Sequence, residues 1–401
     1  MAMRLTLPLA LRAAVTAGVL VLAAVGGAAA QGTLSALQTD VDQIARRARP
    51  SVVTVFAIRT ESAPKTAAAA TAAPRVRTRV GSGVAVEENL VLTTASVVLG
   101  AERTLVSTAN GLQVEAAIVG VDPVFNLALV RVPTLLLPPL RFAAGRPARV
   151  GDWVVSLGTS YNAQPTQSLG NVAQRHREPG QWLLQLTNTV YPGNSGAAAL
   201  NIRGELVGLV QGELGSPDLT GTPSDGERRP GGASFAMPVE TLRPVLESLK
   251  REGRVRHGYL GVTTLAASLE SDHEGGPSTP IGALVEGIIG GGPADRLGLR
   301  PGDLIVAYDG ERVETPEQLA RWVLATPPGR AVMLVWVRRD TEHNGAVVLK
   351  ESPERVPLWL AGSLADPPPD GPRKIAELER EIRRLSQELG RLKDQSGPPP
   401  R

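Results

Sequence analysis

From Val80 to Met237 the chain alternates short apolar runs with turn-forming residues. The runs read VGSGVAV, LVLTTASVV, TLVSTANGLQVEAAIVGV, LALVRV, WVVSLG, WLLQLT and ELVGLV. Short runs rich in valine and leucine, broken by Gly, Asn and Pro, predict an all-β domain, either a barrel pair or a sandwich. Val52 to Ile58 predicts a further strand ahead of them. Asn110-Gly111 lies between two alternating runs and predicts a hairpin turn, because both positions favour positive φ. Helical spacing flanks this domain. Leu34 to Arg47 predicts a short helix. Leu242, Val245, Leu246 and Leu249 share one face of Val239 to Arg251, despite Pro244, and predict a connector helix that closes the β domain. Ala63 to Ala73 (APKTAAAATAA) and Gly212 to Gly232 carry no such pattern and predict exposed loops.

A second unit runs from about His257 to Lys350, with short strands, a helix over Pro316 to Leu324 and a turn-rich stretch, GGGPADRLGLRPGD. Pro367 to Pro372 (PPPDGP) is a stiff spacer. Beyond it Ile375, Leu378, Ile382, Leu385, Leu389 and Leu392 are spaced 3-4-3-4-3, the a/d seam of a coiled coil. In a parallel pairing Lys374 faces the partner's Glu379 and Glu388 faces the partner's Lys393, both attractive. The stripe predicts self-association. Three heptads with Gly390 inside them are marginal alone, so the coil is expected to reinforce an oligomer formed elsewhere. The division that results is a signal segment over 1–30, a β domain over 31–250, a second domain over 256–352, a Pro-rich linker over 353–372 and a coiled coil over 373–395.

The first thirty residues carry Arg4 and Arg12 ahead of the apolar run Ala13 to Ala24, then small residues ending Ala28-Ala29-Ala30. That order is a basic region, an apolar region and a cleavage site, so export to a periplasm or cell envelope is expected. If the segment is retained it is a membrane anchor, though a weak one, because alanine and glycine dominate its second half. Lys+Arg number 42 against 39 Asp+Glu, and nothing in that balance points to nucleic acid. The chain has no cysteine, which excludes disulfides, thiolate metal sites and thiol nucleophiles. Its four histidines, His176, His257, His273 and His343, are too scattered for a metal site, and no cofactor is expected.

The sharpest motif is Pro192-Gly-Asn-Ser-Gly196. A serine nucleophile must present its hydroxyl on a tight turn, with backbone N–H groups aimed where an oxyanion develops. Gly193, Asn194 and Ser195 provide such a hole, the N–H groups of Gly193 and Ser195 converging. On these five residues alone an ordinary β-turn is the better reading.

The motif follows Gly81-Ser-Gly83, an LTT strand and Val119-Gly-Val-Asp-Pro-Val-Phe-Asn-Leu-Ala-Leu129, and it precedes a connector helix and Gly258-Tyr-Leu-Gly-Val262. In that order these segments resemble the HtrA/DegP family of exported, trypsin-like serine proteases with PDZ domains, from about Arg49 to Lys350. The resemblance implies a mainly β chain: a chymotrypsin-like double β-barrel, then one α+β PDZ domain. It puts the nucleophile at Ser195. The family's histidine is the fifth residue of a motif like LTNNHVV, and the stretch here, Leu92 to Val98, puts Ser96 there. The family's aspartate begins a motif like DLALL, and here Asn126 stands first. Serine is no general base near neutral pH. In other serine proteases Asp→Asn alone costs about 10^4 in kcat, and loss of the histidine roughly 10^6. His176, in a polar segment that reads as a loop, is the only histidine before Ser195 and the candidate for an unusual base.

Tyr259-Leu-Gly-Val262 resembles the carboxylate-binding loop of the family's PDZ domains, where backbone N–H groups take a peptide's C-terminus. The leading expectation is therefore an inactive HtrA-like protein that binds peptides or unfolded segments, as a chaperone, adaptor or regulator. It is expected to be a homo-oligomer, a trimer rather than the dimer that Ile at a and Leu at d would favour. The alternatives are an active endopeptidase of misfolded exported proteins, and an envelope scaffold assembled by the coiled coil.

Overall fold

A computed structural model describes residues 34–61, 75–160, 162–213, 234–269 and 279–353. The expected signal segment, the alanine-rich loop, nearly all of the 212–232 loop, the Pro-rich linker and the coiled coil lie outside the described residues. No helix among those described is long and apolar enough to cross a membrane.

Helix α1 (34–48) opens the described chain. Its Val41, Ile44, Ala45 and Ala48 recur every three to four residues and are buried as one stripe. Six strands then close a first barrel: β1 (Val52–Glu61), β2 (Arg75–Glu87), β3 (Leu90–Thr93), β4 (Arg103–Ser107), β5 (Gln113–Asp122) and β6 (Leu127–Arg131). Their order around the barrel is β1-β2-β3-β6-β5-β4. A single helical turn, α2 (Ala95–Val98), follows β3. A second closed barrel, in the order β10-β11-β12-β9-β8-β7, is built from β7 (Trp153–Thr159), β8 (Pro165–Glu178), β9 (Gln181–Leu186), β10 (Ala198–Leu200), β11 (Leu206–Glu213) and β12 (Ser234–Pro238). Closure removes the sheet edges. The pattern of short apolar runs thus resolves as two barrels rather than a sandwich.

The hairpin at Asn110-Gly111 forms, but not as a two-residue turn. Thr108 N–H bonds the Leu112 carbonyl at 2.9 Å, closing a longer loop, and only Gly111 of the pair has positive φ. The seam between the barrels is the main core. There Leu92, Leu127 and Leu129 from one barrel meet Leu157, Leu200 and Leu209 from the other. Helix α3 (Val239–Glu252) lays Leu242, Val245, Leu246 and Leu249 on that seam and ends at Gly253, whose left-handed backbone lets its N–H reach Leu249 O at 2.9 Å. Pro244 sits within the helix without ending it.

The second unit contains β13 (Gly258–Tyr259), β14 (Val262–Leu269), β15 (Thr279–Ile288), α4 (Pro293–Leu297), β16 (Leu304–Tyr308), β17 (Glu311–Arg312), α5 (Pro316–Ala325), β18 (Ala331–Arg338), β19 (Thr341–Val348) and β20 (Lys350–Glu351). Its main sheet runs β14-β15-β16-β18-β19, with β17 beside β16 and β13 paired to β20. Helix α5 starts at Thr315, whose hydroxyl accepts from Gln318 N–H, while Gln318 Oε1 accepts from Glu314 N–H at 2.7 Å. This reciprocal cap, with Pro316 in the first turn, fixes the helix start. The unit has its own core, centred on Ile305, Tyr308, Leu319, Trp322 and Leu334. The architecture is a chymotrypsin-like double barrel followed by a PDZ domain.

Candidate functional site

The loop between β9 and β10 carries Ser195 at the mouth of the seam. Asn194 shapes it from within. Its buried side chain accepts from Tyr191 N–H at 2.8 Å and donates to Thr159 O at 2.9 Å and Thr166 Oγ1 at 2.7 Å. The loop is also pinned to the first barrel through Ser82 of β2, a residue with no exposed surface. Ser82 N–H donates to Ser195 O at 2.8 Å. Its hydroxyl donates to Gly193 O at 2.8 Å and accepts from Thr159 N–H at 2.9 Å, while its carbonyl accepts from Thr93 Oγ1 at 2.7 Å. Gly196 must be glycine here: its φ is +88°, and a Cβ would lie 2.1 Å from the Ser82 carbonyl oxygen. The sequence showed Gly81-Ser-Gly83 as a motif but gave no role to its serine. Only the folded chain brings Ser82 against residues 193–195.

The N–H groups of Asn194, Gly196 and Ala197 are taken, by Tyr191 O, Val210 O and Asn194 O. Among the described residues, those of Gly193 and Ser195 donate to nothing. Two free N–H groups on one tight loop, one of them on the serine itself, are what an oxyanion site requires.

Ser96 lies on α2, and Asn126 lies in the turn between β5 and β6. Asn126 Oδ1 accepts from the Ser96 N–H at 2.9 Å. Asn126 holds φ at +50°, a conformation asparagine tolerates better than most residues. The Ser96 hydroxyl turns instead to Thr94 Oγ1 at 3.0 Å. Thus the Asn126 side chain is joined to the Ser96 backbone, and no hydrogen bond among the described residues links either side chain to the Ser195 hydroxyl.

His176 is not on a loop. It lies on β8, a fourteen-residue strand, opposite Leu183. Its ring nitrogen Nε2 bonds Gln185 Oε1 at 3.0 Å, and its ring lies 5.6 Å from that of Phe235. The polar run Gln-Arg-His-Arg-Glu is part of an extended strand, with the His176 side chain only partly exposed. No hydrogen bond among the described residues connects this ring to the Ser195 loop. Asp122 is engaged elsewhere too: one carboxylate oxygen accepts from Phe125 N–H at 2.8 Å, capping the turn that presents Asn126, and the other meets His257 Nε2 at 2.7 Å. The sequence offered no signal for that pair, because its members come from β5 and from the segment between α3 and β13.

In the second unit Tyr259 pairs with Lys350 across β13 and β20. Leu260 is buried and its carbonyl accepts from Ala294 N–H at 2.9 Å, while Gly261 O accepts from Ile289 N–H at 3.0 Å. The N–H groups of Leu260 and Gly261 have no partner among the described residues. Val262 begins β14, which among the described residues pairs only with β15 and leaves its other edge open beside α5. An open edge next to unpaired N–H groups suits an added peptide strand. No cluster of His, Asp and Glu that could hold a metal ion occurs among the described residues.

Comparison with known proteins agrees with this architecture. The trypsin-like peptidase domain family matches residues 81–209, and the PDZ domain family matches residues 284–338. A probable periplasmic serine endoprotease DegP-like from Hahella chejuensis is 32% identical over 285 residues, covering 70% of this chain and 59% of that protein. The corresponding protein of Chlamydia trachomatis is 32% identical over 283 residues, 68% of this chain and 54% of its own length. The chain therefore spans little more than half the length of these relatives. Among solved structures, the serine endoprotease from Yersinia pestis superposes with a TM-score of 0.53 at 26% identity, over 78% of this chain and 98% of that one. The HtrA-type protease AlgW, solved with a tripeptide, gives 0.54 at 25% identity, over 78% and 98%.

Proposed function

This chain belongs to the HtrA/DegP family of trypsin-like serine proteases with a PDZ domain, and from that premise we propose that it is an exported member which binds peptides without cleaving them. The observation that carries the proposal is the Asn126–Ser96 bond. The aspartate and histidine positions keep their backbone contact, but both side chains there are neutral. A serine hydroxyl cannot take the nucleophile's proton near neutral pH, and asparagine has no imidazolium to stabilise. An oxyanion site without a base leaves acceleration on the order of 10^3 over water, too little for useful turnover.

What remains is recognition. In this reading the loop Tyr259-Leu-Gly-Val262 receives the C-terminal carboxylate of a peptide or unfolded protein, and the open edge of β14 extends the sheet with it. The protein works in the periplasm as a holdase, adaptor or regulator, and assembles as a homo-oligomer, a trimer in preference to a dimer. Several linked PDZ domains would raise avidity without any new contact.

The test is digestion of denatured casein by the purified mature chain over a long incubation, beside Ser195→Ala. No digestion by either supports the proposal. Digestion by the unmutated chain alone would establish the other reading, an active endopeptidase, which the names of the relatives favour.

A further inference from the structure

Among the described residues His257 is the buried histidine, and the site above has no use for it. Its side chain is 3% exposed and that of Asp122 is 2% exposed. Nε2 lies 2.7 Å from Asp122 Oδ2 in the first barrel, and Nδ1 lies 2.9 Å from the carbonyl oxygen of Leu324, near the end of α5 in the PDZ domain. A carbonyl oxygen can only accept, and so can an ionised carboxylate. Neutral imidazole has a single N–H and can serve one of them. Serving both takes the imidazolium, with one N–H aimed at each domain.

We propose that Asp122, His257 and Leu324 form a proton-dependent clamp, which seats the PDZ domain on the first barrel while the imidazole is charged and loosens when it loses its proton.

The rest of the junction is slight enough for such a clamp to matter. Ala325 packs against the turn at Gly180, and Leu324 touches the edge of the seam core. Beside them a cleft of about 890 Å³ separates α3 and the β8–β9 turn from the PDZ domain. The other charges around His257 are committed to one another. From the linker, Arg254 and Arg256 meet Glu351 of β20 at 3.4 and 3.6 Å, and Arg256 also meets Glu252 of α3 at 2.8 Å. The β5–β6 turn contributes the Phe125 ring, 6.2 Å away and uncharged. Just after β20, Ser352 N–H bonds the His257 carbonyl and leaves the ring alone. Asp122 is thus the charge that faces the imidazole.

Burial works against the charge on His257 and is the largest single influence. The bond and charge of Asp122, with the Leu324 carbonyl, outweigh it and raise the pKa above its ordinary value. A raised pKa gives stability that is complete below about 6.5 and is lost as pH climbs through the folded value. The clamp is therefore closed in mild acid and opens on the alkaline side. It does not depend on whether Ser195 can cleave.

The absence of native cysteine allows two dyes to be placed on the full chain, at Gln113→Cys in the first barrel and Thr341→Cys in the PDZ domain, both exposed positions. Energy transfer between them is followed from pH 5.5 to 9. The expected result is high transfer at low pH and a fall with a midpoint above about 6.5. His257→Gln should remove the transition, and His257→Arg, which keeps its charge, should hold the closed state at every pH. In parallel, ring NMR signals of the four histidines in the unmutated chain report the His257 titration without any substitution there. Transfer that does not change with pH, a transition that persists in His257→Gln, or a His257 midpoint below about 6.5 would each overturn the clamp.

Discussion

The side-chain oxygen of Asn126 holds the backbone N–H of Ser96 at 2.9 Å, from a residue whose own φ is +50°. Two separate effects therefore bear on position 126. Asn126→Gly removes the bond but relieves the backbone, whereas Asn126→Ala removes the bond and strains the chain as well. Loss of this part-buried hydrogen bond costs about 0.5–1.5 kcal/mol, and left-handed backbone costs a residue with a Cβ about 1–2 kcal/mol. Urea unfolding of the barrels should rank the unmutated chain above Asn126→Gly, and Asn126→Gly above Asn126→Ala. Equal stability of the two variants would show that the turn relaxes.

If the missing base is the sole chemical defect, it can be put back. Ser96→His with Asn126→Asp places an imidazole and a carboxylate at the two positions, beside free N–H groups on Gly193 and Ser195. The double variant should digest casein, and Ser195→Ala in that background should abolish the activity. Ser96→His alone should be slower by about 10^3 to 10^4, the cost of an asparagine behind a catalytic histidine. Failure of the double variant, with its fold intact by circular dichroism, would mean that the site has drifted in more than two residues.

Ser82→Ala tests the bolt between β2 and the nucleophile loop. The hydroxyl serves Gly193 O and Thr159 N–H, both of which would lose that partner. A loss of about 1–3 kcal/mol is expected. In the Ser96→His, Asn126→Asp background the same change should lower kcat more than it raises KM, because it loosens the loop that carries the oxyanion donors. A normal kcat there would reduce Ser82 to a stability residue.

The legible parts of this protein are those carried by local pattern. Strand runs such as LALVRV and WVVSLG alternate or bury as their composition requires, and α3 shows its buried face in the spacing of four residues. Polar strands were harder. Gln174 to Glu178 has no apolar residue on either face of β8, so the strand leaves no alternation to read and the sequence of His176 fits a loop. The Asn110-Gly111 signal located the hairpin but not its length, since the Thr108–Leu112 bond sets the loop. The long-range pieces left no trace at all. Ser82 acquires its role from the Ser195 loop, and His257 from an aspartate in another domain. Such contacts exist only once two closed barrels and a PDZ domain have met.

The PDZ loop makes a prediction about the charge on its ligand. Leu260 and Gly261 offer N–H groups that have no partner among the described residues, and an N–H bonds an ionised carboxylate more strongly than a neutral amide. A fluorescent peptide with a free C-terminus should therefore bind more tightly than its C-terminally amidated twin. The difference expected is roughly 10- to 100-fold, from a charge-assisted bond of about 1.5–3 kcal/mol. Anisotropy titration of the pair measures it. Equal affinities would place recognition in the side chains of β14 and α5.

The PDZ domain also contains a buried ion pair with a clear pH consequence. Asp303 is 1% exposed, and the Arg338 guanidinium grips it as a fork, with Nε to Oδ1 at 2.6 Å and a second nitrogen to Oδ2 at 2.7 Å. Arg300 N–H adds a bond at 2.7 Å, and Arg338 reaches on to Gly298 O at 2.8 Å. Burial pushes the carboxyl pKa up, but the fork and the Arg300 N–H outweigh it, so the value is held below the ordinary range. With a folded pKa beneath the unfolded one of about 3.9, the stabilisation is complete above that pH and is lost as pH falls through the folded value. Asp303→Asn keeps the shape but leaves Arg338 facing a neutral amide. Arg338 is a quarter exposed, so water makes up part of the loss, and the change weakens the PDZ domain rather than leaving a fully buried charge unpaired. A multidomain chain has no single melting point, so hydrogen exchange of β16 and β18 is the appropriate measurement. Protection there should fall in the unmutated chain below about pH 4, and should already be low at pH 7 in Asp303→Asn, while the barrel strands keep theirs. Equal loss in both regions would show that the PDZ domain and the barrels unfold as one unit.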